Sequence, residues 1–218
     1  MPVPELEAVV MASRNRGKVQ ELASLLASLP WSLQSLDEVP GGTEISWDES
    51  GSTYRENAAI KAEAVCRGTG LPALADDSGI EVEALGGFPG VRSARWLGDD
   101  ATEAELRAAL CARVADLAED ARGARFVCVL ALAVPSPKGL CSVSYAHGSV
   151  RGTLLPGPRG EGGFGYDPIF VPAGETVTMA EMPRAQKDRL SHRGVAAQEL
   201  IRIVSQTRRA RPVPRCDH

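Results

Sequence analysis

ADDSGIEVEALGGFPGVRSARW, residues 75–96, continues the apolar lead-in LPALA and sets two carboxylates, Asp76 and Asp77, beside Ser78 and Gly79. A strand is expected to end there. Adjacent carboxylates repel and are costly to desolvate, so they persist most comfortably where solvent or a divalent cation takes up the charge. One reading is therefore a hard-cation site of the Mg²⁺ type. The other is an Asp-rich turn, because Asp, Ser and Gly are the ordinary turn residues. The stretch alone supports both equally.

Downstream, IEVEAL alternates apolar and acidic residues as an exposed strand should, and GGFPG is a tight loop. Arg92 and Arg95 follow and could reach an anion or pair with Glu81 or Glu83. Upstream, Glu49 precedes a Gly-Ser-Thr helix start, with Tyr54, Ala58 and Val65 on one helical face. By itself Glu49 reads as a solvated loop carboxylate. Brought to Asp77, it could share a Mg²⁺ ion whose shell water and phosphate complete.

Near the N-terminus AVVMA, residues 8–12, is a buried-strand candidate, and SRNRGK leads into a helix with Val19, Leu22, Leu25, Leu26 and Leu29 on one face. Ser13 or Asn15 can cap that helix. Arg14, Arg16, Gly17 and Lys18 then surround its positive end, a corner suited to phosphate or simply a capped surface helix with solvated basic residues. It is no P-loop, since Ala12 stands where Gly is required and Val19 follows the Lys.

WSLQSL, residues 31–36, reads as a second strand, and residues 101–118 as an amphipathic helix with Leu106, Leu110, Val114 and Leu117 as its stripe. No catalytic role is expected of that helix. ARFVCVLALAV and GLCSVSYAHGSVRGTLL read as long strands joined by PSPKG, the first central, with a structural His147. EGGFGYDPIF sets Phe164, Gly165, Tyr166 and Asp167 on a glycine-loosened loop that could stack on a nucleobase or form a buried aromatic corner. The last helical region offers Leu190, Val195, Leu200 and Val204 to the core. Ser191, His192 and Arg193 could converge on one ligand if they open a helix.

The chain has 218 residues, 44% of them hydrophobic, enough for one compact unit with a substantial core. No apolar run is long enough to span a bilayer, and the N-terminus lacks a basic signal-peptide region, so a cytoplasmic protein is expected. Five widely spaced cysteines, Cys66, Cys111, Cys128, Cys141 and Cys216, read as small buried hydrophobes. The net charge of −4 divides into −8 over residues 1–201 and +4 over residues 202–218. The acidic body argues against a broad nucleic-acid surface.

SRNRGKVQEL, ADDSGIEVEALGGFPG, GGFGYDPIF and KDRLSHR, in this order, together resemble the inosine/xanthosine triphosphate pyrophosphatases, which remove non-canonical purine nucleotides. The resemblance implies an elongated α/β fold with a central mixed sheet, two lobes around a nucleotide cleft, and a homodimer. It implies that Ser13, Asn15 and Lys18 hold the triphosphate, with Arg14, Arg16 and Gly17 in the same loop. Asp77 would be metal ligand and proton acceptor, Glu49 the partner ligand for Mg²⁺, and Ser78 a substrate contact. Phe164, Gly165, Tyr166, Asp167, Lys187, His192 and Arg193 would hold the purine. The enzymatic domain is expected over residues 1–207 and a disordered Arg-rich tail over 208–218. A nucleotide sensor without turnover, or an RNA-associated protein using the tail, are the rival readings.

Overall fold

A computed structural model describes residues 7–209. Six strands form one mixed sheet: β1 (Ala8–Met11), β2 (Ser32–Gln34), β3 (Ala73–Val82), β4 (Gly123–Ser136), β5 (Leu140–Leu154) and β6 (Phe170–Pro172), in the order β2-β1-β3-β4-β5-β6. β1 runs parallel to β2 and β3, and the remaining pairs are antiparallel. The helices are α1 (Arg16–Leu25), α2 (Tyr54–Thr69), α3 (Glu103–Val114), α4 (Arg184–Leu190) and α5 (His192–Arg209). No helix among the described residues is long and apolar enough to cross a membrane.

Strand periodicity divides the core between the two faces. Val9, Met11, Leu74, Leu130 and Leu132 point to the face covered by α1 and α5, where Leu22, Ala196, Leu200 and Val204 meet them. Val10, Ala12, Ala73, Ala75, Val129 and Ala131 point to the other face, against Ala58, Ala62 and Val65 of α2. Beyond these, Ile80, Val82, Phe126, Leu154 and Phe170 pack under Leu106, Leu110 and Val114 of α3 and form a further lobe. The expected central sheet with flanking helices is present, and β4 is the interior strand its sequence suggested.

Several boundaries differ from the sequence reading. ADDSG is neither a turn nor a strand end: β3 runs through it, pairing Asp76, Asp77 and Ser78 with Leu130, Val129 and Cys128 of β4. Tertiary ion pairs override the poor strand propensity of these residues. The strand stops at Val82, with Ile80 and Val82 fully buried, and Glu83–Leu85 form a 3₁₀ turn. β2 keeps three residues because Leu36 opens another 3₁₀ turn. α1 ends at Leu25, and Leu29 reaches the core from the following turn.

The last helical region breaks at Ser191, whose extended backbone separates α4 from α5 and whose Oγ accepts the Gly194 N–H at 3.0 Å. Val195 is 38% exposed rather than in the core, and Leu190 is half-buried. Cys66, Cys111 and Cys128 are buried and Cys141 is half-buried. Cys216 and residues 210–218 of the Arg-rich tail lie outside the described residues.

Candidate active site

The sheet leaves an opening where β1 ends. Met11 is paired with Leu74, and β3 then continues through Asp76–Ser78 paired with β4. Ligands of α/β sheets gather at such carboxyl ends of strands. Side chains alternate along β3, so the neighbouring carboxylates point to opposite faces. Asp76 joins the α1/α5 side and Asp77 the α2 side, and the repulsion that made the pair conspicuous in sequence is relieved.

Asp76 is buried within a dense set of donors. Lys18 from α1 meets its Oδ1, Arg193 Nε from α5 its Oδ2 at 3.1 Å, Ser78 Oγ its Oδ1 at 3.0 Å and Cys128 Sγ its Oδ2 at 3.2 Å. Burial alone would raise its pKa, but the Lys18 ammonium and Arg193 guanidinium outweigh it and hold the carboxyl well below the usual range. Arg193 also donates to Ser78 Oγ at 2.7 Å and to Glu21 Oε2 at 3.2 Å. Asp76 is thus the organising carboxylate of the α1–β3–α5 junction.

Asp77 has a different environment. Lys61 of α2 meets its Oδ1 at 2.6 Å and Glu49 Oε1 at 3.0 Å, while Asp77 Oδ2 is buried without a hydrogen-bond partner among the described residues. Burial raises the Asp77 pKa, and Lys61 offsets that only in part. Glu49 shifts the other way: burial is outweighed by Lys61 and by Arg95, whose Nη1 stands 2.6 Å from Glu49 Oε2. Arg95 therefore pairs with Glu49, not with Glu81 or Glu83 as the sequence allowed. Glu81 takes Arg125 at 2.6 Å instead.

At the start of α1, Asn15 is the N-cap and accepts the Lys18 N–H at 3.0 Å, while Ser13 Oγ accepts the Asn15 N–H at 3.2 Å. Arg14 donates to the Ile45 carbonyl at 2.7 Å and lies 4.3 Å over the Trp47 ring. Ser13, Arg14, Asn15, Lys18, Glu49, Lys61, Asp76, Asp77 and Arg95 are brought to one cavity of about 240 Å³. Arg16 is exposed and is not among the residues lining this cavity. Gly17 packs closely here: a Cβ would stand 3.2 Å from both the Phe164 ring and Asn15 Oδ1.

A second cavity of about 270 Å³ lies alongside, lined by Phe126, Phe164, Gly165, Tyr166, Asp167 and His192 among others. Asn15, Lys18, Ser78 and Ala94 border both cavities, which makes them the two ends of one cleft, one ionic and one aromatic. His192 stacks on Phe126 with centroids 4.6 Å apart and 8° between planes, and its buried Nδ1 has no partner among the described residues. Burial, reinforced by Arg193, pushes its pKa well below 6.5, so the imidazole is neutral. The Tyr166 hydroxyl donates to the Ser93 carbonyl and accepts from Trp96 Nε1, both at 2.8 Å, with burial pushing its pKa up to about 12. Asp167 Oδ2 accepts from Phe164 N–H at 2.9 Å and from Lys187 Nζ at 2.6 Å. Lys187 lies behind the Phe164 ring, 5.1 Å from its centroid, and lines a neighbouring cavity of about 380 Å³ with Gly17 and Glu21.

Sequence reading missed Lys61 and Glu21. Each left a signal: Ala58, Lys61, Ala62 and Val65 make an apolar helical stripe interrupted by one charge, and Glu21 sits beside buried Leu22 on α1. Both are at most 6% exposed. The 101–118 helix also contributes Glu103 and Leu106 to the aromatic end, for which periodicity offered no hint.

An α/β fold with a cleft of this kind defines a protein built to hold an elongated ligand with an anionic and a planar end. Residues 9–203 match the Ham1 family model, and the chain belongs to that family. It is 48% identical over 201 residues to a dITP/XTP pyrophosphatase of Frankia alni, covering 90% of this chain and 96% of that protein. Among solved structures, a HAM1 protein from Coxiella burnetii matches with a TM-score of 0.79 at 37% identity, covering 92% of this chain and 99% of that one. The Staphylococcus aureus Ham1 protein matches with a TM-score of 0.78 at 32% identity and the same coverage.

Proposed function

We propose that this protein hydrolyses the non-standard purine nucleoside triphosphates ITP, dITP and XTP to monophosphate and pyrophosphate, with Mg²⁺ as cofactor. The observation that carries the reading is the cleft itself, in which Asn15, Lys18 and Ser78 join an ionic end to an aromatic end. The named activity of the Frankia alni relative supports it. The pyrophosphatase name of that relative favours turnover over a sensor that only binds.

The donor set fits Mg²⁺: Asp77 Oδ2 lacks a partner, Glu49 stands beside it, and carboxylate oxygens are the ligands this ion prefers. When bound there, Mg²⁺ would neutralise developing phosphate charge and lower the pKa of water. Asp77, with its raised pKa, is suited to accept the proton of the water attacking the α-phosphorus. Lys18, held by Asp76, and the cap of α1 meet charge on the triphosphate, and Arg14 and Arg95 border the same cavity. The base lies at the Phe164 and Tyr166 end, which Arg193 lines with the N–H groups that its bonds to Asp76, Glu21 and Ser78 leave over and neutral His192 with an unpaired nitrogen. Donors there favour a 6-keto over a 6-amino group. The same reading includes a cytoplasmic homodimer, with the family resemblance as its support. Hydrolysis of dITP in ¹⁸O-water should put the label in the monophosphate. Label in pyrophosphate would mean attack at the β-phosphorus and defeat the proposed cleavage.

A further inference from the structure

Helix α3 does more than wall the aromatic end of the cleft. Gly165 stands between Phe164 and Tyr166 with φ of 62°, a left-handed conformation that favours glycine. Both of its backbone polar groups are held by this one helix. Its N–H donates to Glu103 Oε2 at 2.7 Å, and its carbonyl accepts from Arg107 Nη1 at 2.7 Å. Glu103 and Arg107 are four residues apart, so one face of the helix presents them together. The helix is itself anchored, through buried Leu106, Leu110 and Val114 and a capping box between Thr102 and Glu105. The other loop ties run elsewhere: Tyr166 to Ser93 and Trp96, and Phe164 N–H to Asp167 within the loop. Both contacts to Gly165 are charge-assisted, and its peptide groups cannot reorient without losing them.

We propose that Glu103 and Arg107 are positioning residues that set the width of the aromatic end, and through it the choice among purines; this rests on the nucleotide reading above. Phe164, one residue before Gly165, is the wall the pair controls. Its ring lies 4.9 Å from Arg193 Cζ and 5.1 Å from Lys187 Nζ. Arg193 and His192 are fixed on the other side by α5 packing, so release of the loop widens the gap between the ring and the donors. Asp77 and Glu49 sit at the other end of the cleft and keep their geometry. Loss of the hold therefore weakens base recognition while sparing the chemical step.

The test compares Glu103→Ala, Arg107→Met and Arg107→Lys with a control, Glu105→Gln, which removes a carboxylate charge from the same helix end without touching Gly165. Removing one charge-assisted bond should raise the KM for dITP about tenfold, hold kcat within about twofold, and shrink the preference for dITP over dATP. Arg107→Lys should recover part of the loss. Amide exchange in a peptide spanning residues 163–167 should accelerate in the Ala and Met variants and not in Glu105→Gln. Exchange at wild-type rates in both variants, or unchanged KM and preference in them, overturns the proposal, as does an equal KM rise in Glu105→Gln. Wild-type protein that releases no pyrophosphate from dITP would defeat the functional reading instead. Calorimetric dITP affinity then replaces KM, with the same outcomes deciding.

Discussion

Asp76 and Asp77 are neighbours in sequence with opposite dependencies, and their amide variants should separate fold from chemistry. Asp76→Asn leaves Lys18 and Arg193 without their shared buried counter-charge, a loss expected to cost about 3–5 kcal/mol and to appear as a large drop in Tm. Asp77→Asn removes the proton acceptor, so kcat should fall by about 10²–10⁴-fold while unfolding stays cooperative. Near-normal turnover in Asp77→Asn would show that the wrong carboxylate has been chosen. His192 makes a pH prediction. Its folded pKa lies well below 6.5, so above that value neither state carries the extra proton and its contribution is fully present. As pH falls below it, the unfolded chain takes up a proton that the folded protein refuses, and stability declines by up to about 1.4 kcal/mol per pH unit. Urea titrations from neutral pH to about pH 5 should show this slope reduced in His192→Gln. Identical slopes in both proteins would remove His192 as its source.

Element by element, what was legible followed local physics. The β1–α1 unit and its Asn15 cap could be read because apolar periodicity and a capping residue agree within a few positions. β3 could not, because Asp-Asp-Ser-Gly has turn composition and becomes a strand only when Lys18, Lys61 and Arg193, from three helices, supply the counter-charges. Lys61 shows in sequence only as a charge within an apolar stripe, because its partners, Asp77 and Glu49, lie outside α2. The α4–α5 break was legible only as a condition: Ser191, His192 and Arg193 could open a helix, and the Ser191 Oγ that caps α5 settles that they do. The approach of α5 to β5 depends on Gly148, where a Cβ would collide with the His192 carbonyl and the Ala196 N–H. Gly148→Ala should therefore destabilise the protein by about 1–3 kcal/mol and weaken nucleotide binding together, because His192 and Arg193 must move with the helix. Thermal unfolding and dITP titration report the two effects, and a fully tolerated alanine would contradict so close a packing.

Across the whole molecule, the sheet separates two jobs. The α2 face brings Lys61 to Asp77, beside the Glu49 loop, and the α1/α5 face gathers Asp76, Lys18 and Arg193; the cleft opens where β1 ends and both sets become reachable from one side. The resemblance read from four separated strings becomes a single surface once the fold closes, although Lys187 stands behind Phe164 and Arg16 lies outside the cleft. The most direct measurement is product formation from ITP, XTP, dITP, ATP and GTP with and without Mg²⁺. The account predicts pyrophosphate and monophosphate, release that stops when Mg²⁺ is chelated, and kcat/KM for ITP, XTP and dITP at least about 100-fold above that for ATP. Release of orthophosphate, or equal turnover of ATP, would contradict it.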